Sequence, residues 1–235
     1  MNSLIDREIQ IVFFDAAGTL FEVNGSVGET YCKFARRFGV NVDQEEINEA
    51  FSRFFPAQPP LAFPPGTPQA ELHILERNWW RRLVLEVFEN YKFRQFESFF
   101  AEVFEFFRRK EAWRLFDDVI PTLTELRNRR VRLAVISNFD SRLDDLLLDF
   151  DIKRLFDGVH ISSRIGSAKP DSEIFLAALR DHRVEPGRAF HVGDSLREDF
   201  EGASSAGLRA VLLDRAQRFT ELQHPARITR LEQLG

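Results

Sequence analysis

The sequence has little cysteine, little lysine and no long apolar run. Cys32 is the only cysteine among 235 residues. Neither an intrachain disulfide nor a cluster of cysteine metal ligands can therefore form, which is typical of a reducing cytosol. Charged residues interrupt every apolar stretch well before the roughly 18 residues that a membrane span needs. The start, MNSLIDREIQ, also lacks the basic and apolar regions of a signal peptide. The sequence predicts a soluble, cytoplasmic protein.

An excess of basic charge is also absent. The chain carries 32 basic and 37 acidic residues, for a formal net charge of −5. It therefore has no overall basic field to attract nucleic acid or an acidic membrane, and we expect neither as a partner. The 44% of hydrophobic residues is enough for a sizeable globular core. The sequence pattern does not determine an oligomeric state.

Helical spacing dominates residues 23–111. Ser26 and Asp43 are suited to cap the first two helices, and Glu46 stands at the capping-box position of the second. Two further helical stretches follow, in which aromatic residues recur at steps of three and four. The proline-rich segment 56–68 between these pairs excludes a helix and a central strand. It is a loop that either borders a site entrance or only joins two helices.

Short β-branched runs alternate with helical stretches from about residue 113 onward. This alternation favours a parallel sheet with helices on both faces. The apolar run at residues 10–14 belongs to the same sheet, because it is nearly continuous and suits a strand buried on both faces. The predicted fold class is α/β. Residues 1–22 and 112–235 form a Rossmann-like core domain, and residues 23–111 form an inserted all-helical domain.

Polar residues follow the predicted strands where ligands bind in open α/β sheets, outside the carboxyl ends. Each of them alone is as typical of a turn or a helix cap as of a site. Lys169 is more informative, since the chain has only five lysines and otherwise uses arginine. The candidates are Asp15, Ser137 with Asn138, Lys169 and Asp194.

The segments DAAGTL, ISN, SAKPD and GDSLREDFEGASSAG resemble, in this order, the four motifs of the haloacid dehalogenase superfamily. The inserted segment resembles the helical cap of its subfamily IA. Four further segments, GTLFEV, GSVGETY, the pair Trp79-Trp80 and ISNFDSRL, resemble the branch of haloacid dehalogenase-like hydrolase domain-containing proteins. The resemblance implies a hydrolase with this superfamily's fold.

The chemistry that the resemblance implies starts from Asp15 as the nucleophile. A positioned carboxylate can attack phosphorus and form an aspartyl-phosphate that water later cleaves. A phosphoryl group would be repelled by Asp15 and Asp194 unless a hard cation lay between them, and oxygen ligands favour Mg²⁺. The resemblance gives Lys169 a catalytic role and gives Mg²⁺ the ligands Asp15, Asp194 and the backbone carbonyl of Ala17. The implied phosphate-binding residues are Ala16, Ala17, Thr19, Ser137, Asn138 and Lys169.

Ala17 departs from the superfamily's phosphatases, which usually have a second Asp there as general acid and base. Alanine keeps the backbone carbonyl but loses proton transfer, which is worth about 10²–10⁴-fold in rate. The first interpretation, and our prediction, is a Mg²⁺-dependent phosphatase that acts on a small phosphorylated metabolite. Its leaving group needs little protonation, or water or a cap residue supplies the proton.

Two other functions stay open. One is cleavage of another bond, either by a phosphonatase that uses Lys33 for a Schiff base or by a metal-free dehalogenase. The other is a phosphate-binding or regulatory protein that has lost turnover. In the phosphatase interpretation, Asp199 is either a further ligand or orienting group, or only an acid in a first helical turn. We expect His191, Trp79 and Trp80 to be packing residues. Arginines that could meet an anionic substrate are Arg36, Arg37, Arg81 and Arg82.

Overall fold

A computed structural model describes residues 4–6, 8–221 and 227–235. Among these residues, six parallel strands form one sheet and two short antiparallel strands form another. In chain order the strands are β1 (Ile11–Phe14), β2 (Phe21–Val23), β3 (Trp113–Leu115), β4 (Arg132–Ser137), β5 (Gly158–Ile161), β6 (Ala189–Gly193), β7 (Arg209–Leu213) and β8 (Arg227–Ile228). The main sheet has the order β5-β4-β1-β6-β7-β8.

Strand β1 lies at the centre of the main sheet, between β4 and β6. Phe14, its last residue, pairs with Val135 of β4 and with Val192 of β6. Because the three strands are parallel and in this register, their carboxyl ends open at one edge of the sheet. The residues that follow them, Asp15 and Asp194 among them, are therefore brought to the same edge.

The helices are α1 (Val27–Arg37), α2 (Gln44–Phe54), α3 (Gln69–Val87), α4 (Phe96–Phe106), α5 (Val119–Asn128), α6 (Arg142–Asp149), α7 (Ser162–Ile165), α8 (Ser172–His182) and α9 (Gly202–Ser205). A π-helical turn, Leu196–Glu201, precedes α9. Ser26 caps α1 by accepting the amide of Glu29. Asp43 caps α2, but the Glu46 carboxylate accepts from the Tyr91 hydroxyl, so the reciprocal half of the capping box does not form.

Both faces of the main sheet are covered by apolar side chains. Val12 and Phe14 of β1 pack with α5 and α6 on one face, whereas Ile11 and Phe13 pack with α8 and α9 on the other. All four residues of β1 are buried, as its continuous apolar run predicts. The predicted α/β class with a Rossmann-like parallel sheet is confirmed.

The four helices α1 to α4 enclose an apolar cluster of their own. It runs from Tyr31 to Phe104 and includes Trp79, Leu83 and Phe99. The pair β2–β3 connects the chain before these helices to the chain after them, with Phe21 opposite Leu115. The sequence did not predict this pair, because three-residue strands are too short for a period-two pattern. None of the helices in the described ranges is long and apolar enough to cross a membrane.

Candidate functional site

A cavity of about 1030 Å³ opens at the carboxyl edge of the main sheet. Its floor comes from the loops after β1, β4 and β6 and from the segment before α8. Its roof comes from the proline loop after α2 and from α3. The floor residues include Asp15, Ala17, Ser137, Asn138, Ser167, Lys169, Asp194, Glu198 and Asp199, and the roof residues include Phe55, Pro59, Leu61, Trp79 and Trp80.

Asp15 and Lys169 form a buried ion pair at the cavity floor. The Lys169 ammonium lies 2.6 Å from Asp15 Oδ1, and the Ser137 hydroxyl donates to the same oxygen over 2.9 Å. The side chains of Lys169 and Asp15 are only 2% and 8% exposed. Burial raises the pKa of Asp15 against the opposing effect of Lys169. Burial would lower the pKa of Lys169, but Asp15 and Asp199 raise it above its usual value, so the ammonium stays charged.

Asp199 holds Lys169 from the other side. Its Oδ1 lies 2.5 Å from the Lys169 ammonium and 2.9 Å from His191 Nε2, and its Oδ2 accepts the amide of Ser195 over 3.0 Å. Burial alone would raise the pKa of Asp199, but Lys169 and His191 bring it below its ordinary range. Gly193 is required here, because a Cβ would lie 2.1 Å from Asp199 Cγ. Asp199 is thus an ionised group that orients Lys169.

Asp194 completes a cluster of three carboxylates. Asp15, Asp194 and Asp199 each place one oxygen within 4.8 Å of the others. Burial, and then the charges of Asp15 and Asp199, raise the pKa of Asp194 to about 7. Gly18 has a φ of +88°, and a Cβ on it would lie 2.5 Å from the Asp194 carboxylate. An all-oxygen cluster with an excess of negative charge suits a hard divalent cation, so the residues fit Mg²⁺.

Asn138 fixes the loop that carries Lys169. Its Nδ2 donates to the Lys169 carbonyl over 2.9 Å, and its Oδ1 accepts the Lys169 amide over 2.7 Å. The same Nδ2 lies 3.2 Å from the carboxylate of Glu198. These contacts join the end of β4 to the segment before α8. The Asn138 side chain therefore positions Lys169.

The structure brings together six of the residues that the motifs single out. Asp15, Ala17, Ser137, Asn138, Lys169 and Asp194 all line the cavity. Ala16 and Thr19 are fully buried and are not among the described residues that line it. The Ala16 carbonyl accepts backbone amides of the turn, and the Thr19 hydroxyl has no hydrogen-bond partner among the described atoms. Their side chains lie behind the cavity floor.

The proline loop borders the cavity, which is one of the two alternatives that its sequence allows. Residues Pro56 and Gln58–Ala62 line the cavity. The indole N–H of Trp79 donates to the Pro59 carbonyl over 2.8 Å and so fixes the loop to α3. Trp80 donates to Asp140 Oδ2 over 2.5 Å. Both tryptophans therefore pack and face the site.

Helix α3 is also fixed to the sheet domain through a buried acid. Glu76 is 3% exposed, and its Oε1 accepts the amide of Ser141, the hydroxyl of Ser141 and the hydroxyl of Ser163. The Ser162 hydroxyl donates to the Leu61 carbonyl over 2.7 Å. These contacts hold α3 and the proline loop over the carboxyl edge of the sheet.

The basic residues of the helical segment that the sequence suggested for the site are not among the described residues that line the cavity. Lys33 is exposed on α1 and is not among the described residues that line the cavity. Arg37 pairs with Glu102, and Arg81 pairs with Glu97. Arg36 and Arg82 are exposed and are also outside the described cavity lining. Among the described residues that line the cavity, Lys169 is the one cationic side chain.

Sequence reasoning missed Ser167, Glu198 and Phe55 as residues of the site. The Ser167 hydroxyl is buried and has no hydrogen-bond partner among the described atoms, so it is available to a ligand in the cavity. Burial raises the pKa of Glu198. Ser167 lies in the motif SAKPD and Glu198 in the motif GDSLREDFEGASSAG, and these positions could have suggested both residues. No sequence signal distinguishes Phe55 from the other phenylalanines.

Known proteins resemble the chain in sequence and in fold. A family model described as haloacid dehalogenase-like hydrolase matches residues 9–207. Haloacid dehalogenase-like hydrolase domain-containing protein 3 of Mus musculus is 32% identical over 213 residues, which cover 88% of this chain and 82% of that protein. The Homo sapiens protein of the same name is 32% identical over 210 residues, with the same two coverages.

Solved structures show the likeness of the fold. A HAD phosphatase from Thermococcus onnurineus has a TM-score of 0.65 at 23% identity, over 96% of each chain. A putative HAD-hydrolase from Bacillus subtilis, bound to magnesium, has a TM-score of 0.68 at 17% identity, also over 96% of each chain. An L-2-haloacid dehalogenase has a TM-score of 0.71 at 18% identity, over 96% of this chain and 97% of that one. Because the family model covers most of the chain and the two relatives each cover 88% of it, this protein belongs to the haloacid dehalogenase-like hydrolases.

Proposed function

We propose that the protein is a Mg²⁺-dependent phosphatase that hydrolyses a small phosphorylated metabolite through an aspartyl-phosphate on Asp15. One observation carries this proposal: Ser137 and Lys169 both contact Oδ1 of a buried Asp15, beside the acidic groups of Asp194 and Asp199. A buried carboxylate held in this way is oriented for attack rather than free to rotate.

The cation would be held by Asp15, Asp194 and the backbone carbonyl of Ala17. When bound, Mg²⁺ supplies positive charge that lets an anionic phosphate approach the carboxylates. Asp199 belongs to the same cluster, but Lys169 and His191 already contact its Oδ1. Its role is therefore to orient Lys169.

Residues at the cavity floor have separate roles in the proposed reaction. Asp15 Oδ2, which Ser137 and Lys169 do not contact, attacks phosphorus while the bond to the leaving oxygen breaks. Donors on Ser137 and Lys169 face the charge that develops on the phosphoryl oxygens, with the amides near Ala16, Ala17 and Asn138. Water then cleaves the aspartyl-phosphate and restores Asp15. Ala17 cannot transfer a proton, so the substrate needs a leaving group that departs without one.

The helical residues 23–111 act in this proposal as a cap domain over a core of residues 1–22 and 112–235. Two observations support the division. The helices α1 to α4 have their own apolar cluster, and the roof of the cavity comes from the proline loop and α3. The cap would select the substrate and exclude water, while the core performs the chemistry.

The surroundings of single residues argue against a phosphonatase, a metal-free dehalogenase and a protein without turnover. A phosphonatase would need the amine of Lys33 in the cavity, but Lys33 is exposed on α1. A metal-free dehalogenase would leave the half-buried Asp194 beside two further carboxylates with no divalent cation to offset their charge, since Lys169 contacts Asp15 and Asp199 but not Asp194. A protein without turnover would not need the oriented pair of Asp15 and Lys169.

The test uses acetyl phosphate, a small substrate whose acetate leaves without general-acid help. We expect Mg²⁺-dependent release of inorganic phosphate, and rapid acid quenching should trap phosphate on Asp15, located by mass spectrometry of peptides. An unphosphorylated Asp15 during measurable turnover would overturn the aspartyl mechanism. Failure to hydrolyse acetyl phosphate and a panel of phosphate esters at any Mg²⁺ concentration would overturn the phosphatase proposal. A buried, free Cys32 is consistent with action in the reducing cytoplasm.

A further inference from the structure

A second cavity, of about 210 Å³, lies beside the carboxylate site. Four residues line both this cavity and the larger one: Ala17, Phe55, Trp80 and Asn138. The two cavities therefore adjoin at Ala17, next to the nucleophile. The remaining walls are mostly aromatic or aliphatic and include Tyr31, Phe51, Val84, Phe104, Trp113 and Phe139.

Most polar groups on the walls of this apolar cavity are already paired. The Trp113 indole donates to the Phe107 carbonyl over 3.0 Å. The Arg142 guanidinium makes two bonds to Asp140 and a third to the Phe104 carbonyl. Among the described residues that line it, no charged group is therefore left to bind a polar ligand, and the cavity suits an apolar one.

The shape and chemistry of the apolar cavity favour an aromatic ring. A dry cavity of about 150 Å³ lined by Leu, Ile and Phe is enough to bind benzene. The rings of Phe55 and Trp80 stack at 6.0 Å with an interplanar angle of 25°, where the two cavities adjoin. Aromatic pairs gain affinity beyond that of area burial alone, which favours a ring over a saturated group of the same size.

Ala17 agrees with this occupant on chemical grounds. With no acid at this position, the leaving oxygen must carry its own negative charge. A phenol has a pKa of about 10, against about 16 for water, so an aryloxide is a far weaker base than an alkoxide. Because position 17 is alanine rather than aspartate, its side chain also places no carboxylate at the entrance of the apolar cavity.

We propose that the apolar cavity binds the aryl group of an aryl phosphate monoester, with one or two rings, whose phosphate lies at Asp15. This inference rests on the proposed phosphatase function. An Asp15 oxygen bonds to phosphorus as the phosphorus–oxygen bond to the ring breaks. The aryloxide departs with that electron pair and takes a proton from water. A second water hydrolyses the aspartyl-phosphate, giving inorganic phosphate and Asp15.

The experiment compares 2-naphthyl phosphate with acetyl phosphate in three proteins. Val84→Trp fills the apolar cavity from α3, and Ile74→Trp makes a comparable aliphatic-to-tryptophan change at a site on that helix that is 61% exposed. We expect Val84→Trp to lower the ratio of kcat/KM for naphthyl over acetyl phosphate at least about tenfold, mainly through KM. Ile74→Trp should leave the ratio as in the wild type. An unchanged ratio in an active Val84→Trp variant would overturn the inference.

A binding measurement on the wild type keeps the test decisive if Val84→Trp fails to fold. 2-Naphthol should inhibit naphthyl phosphate hydrolysis competitively, and decahydro-2-naphthol, its saturated counterpart, should inhibit at least about tenfold less. Equal or stronger inhibition by the saturated alcohol would overturn the aryl assignment in favour of an alkyl group. Absence of hydrolysis of both acetyl phosphate and 2-naphthyl phosphate in the wild type would instead reject the proposed phosphatase function itself.

Discussion

The indole N–H of Trp80 on α3 lies 2.5 Å from the carboxylate of Asp140, in the loop after β4. Asp140 is fully buried and also binds the Arg142 guanidinium. Burial would raise the pKa of Asp140, but Arg142 brings it below its ordinary range, so the acceptor is a carboxylate ion. A charge-assisted bond therefore connects the helical roof of the cavity to its floor.

Trp80→Phe should lower the free energy of unfolding by about 2 kcal/mol, since hydrogen bonds to charged groups contribute about 1.5–3 kcal/mol. Trp79→Phe is the matched control, because the Trp79 indole donates to the neutral carbonyl of Pro59. Its loss should cost about 1 kcal/mol. Urea unfolding of the two variants measures the difference. A smaller loss for Trp80→Phe than for Trp79→Phe would contradict a charged acceptor at Asp140.

Asp15→Asn should reduce turnover on the order of 10³-fold or more, because it removes the nucleophile at nearly constant volume. Circular dichroism should show an unchanged fold. Asp117→Asn supplies the control, since Asp117 is 81% exposed in its ion pair with Arg230. Steady-state kinetics of both variants are the measurement, and substantial turnover by Asp15→Asn would exclude the aspartyl mechanism.

Activity should disappear with a chelator and return with Mg²⁺, because the carboxylates of Asp15 and Asp194 repel an anionic substrate when no cation is bound. Asp194→Asn should raise the Mg²⁺ concentration for half-maximal rate on the order of tenfold or more. A Mg²⁺ titration of acetyl phosphate hydrolysis measures both effects, again with Asp117→Asn as control. Full activity in chelator would favour the metal-free dehalogenase class.

Ala17→Asp should raise the hydrolysis of alkyl phosphates more than that of aryl phosphates, and so flatten the dependence of rate on the leaving group. General-acid help grows with the charge on the departing oxygen, and it is largest for an alkoxide. The gain should stay below the upper limit of about 10⁴-fold, since a new carboxylate beside Asp15 must be protonated to help. Kinetics for a series of leaving groups decide the matter. If the dependence of rate on the leaving group is unchanged in a folded, Mg²⁺-binding variant, then an acid at position 17 is not what the wild type lacks.

The pair His160 and His182 should make the fold sensitive to mild acid. Their Nε2 atoms lie 3.0 Å apart. Burial, and then His182, lower the pKa of His160 from 6.5 to about 4, against a small opposing effect of Asp181. The folded state then binds fewer protons than the unfolded state between these pH values, so stability is complete above about pH 6.5 and falls as the pH decreases toward 4.

His160→Gln should therefore reduce the stability lost between pH 7 and pH 5 by about 1–2 kcal/mol. Urea unfolding at the two pH values gives the loss for each protein. His73→Gln is the matched control, because His73 is exposed on α3. If His160→Gln and the wild type lose the same stability, then protonation of His160 does not contribute to acid sensitivity.

Particular elements show how far the sequence determined the fold. The apolar run of β1 and the caps at Ser26 and Asp43 are local signals, and the structure contains the strand and both helices that they predict. The short pair β2–β3 and the partner of Glu46 were not predictable. Both depend on residues that approach each other only after the helical segment has folded between them.

The motifs by themselves singled out the residues that we propose to carry the chemistry. The pattern of strands predicted that Asp15, Ser137, Lys169 and Asp194 would meet at one edge, because parallel strands that each end in a polar residue leave little choice of place. The family followed from the same residues. Alanine at position 17 also raised the question of the proton from the sequence alone.

Tertiary structure alone decided what surrounds that chemistry. A phenylalanine at helical spacing has the same pattern whether it fills a core or lines a cavity, so Phe55 and the apolar cavity beside Ala17 could not be identified beforehand. The orientation of Asp199 toward Lys169 likewise depends on a close approach that only Gly193 permits. Spacing along the chain determines which face a residue takes, but the packing of distant segments determines what that face meets.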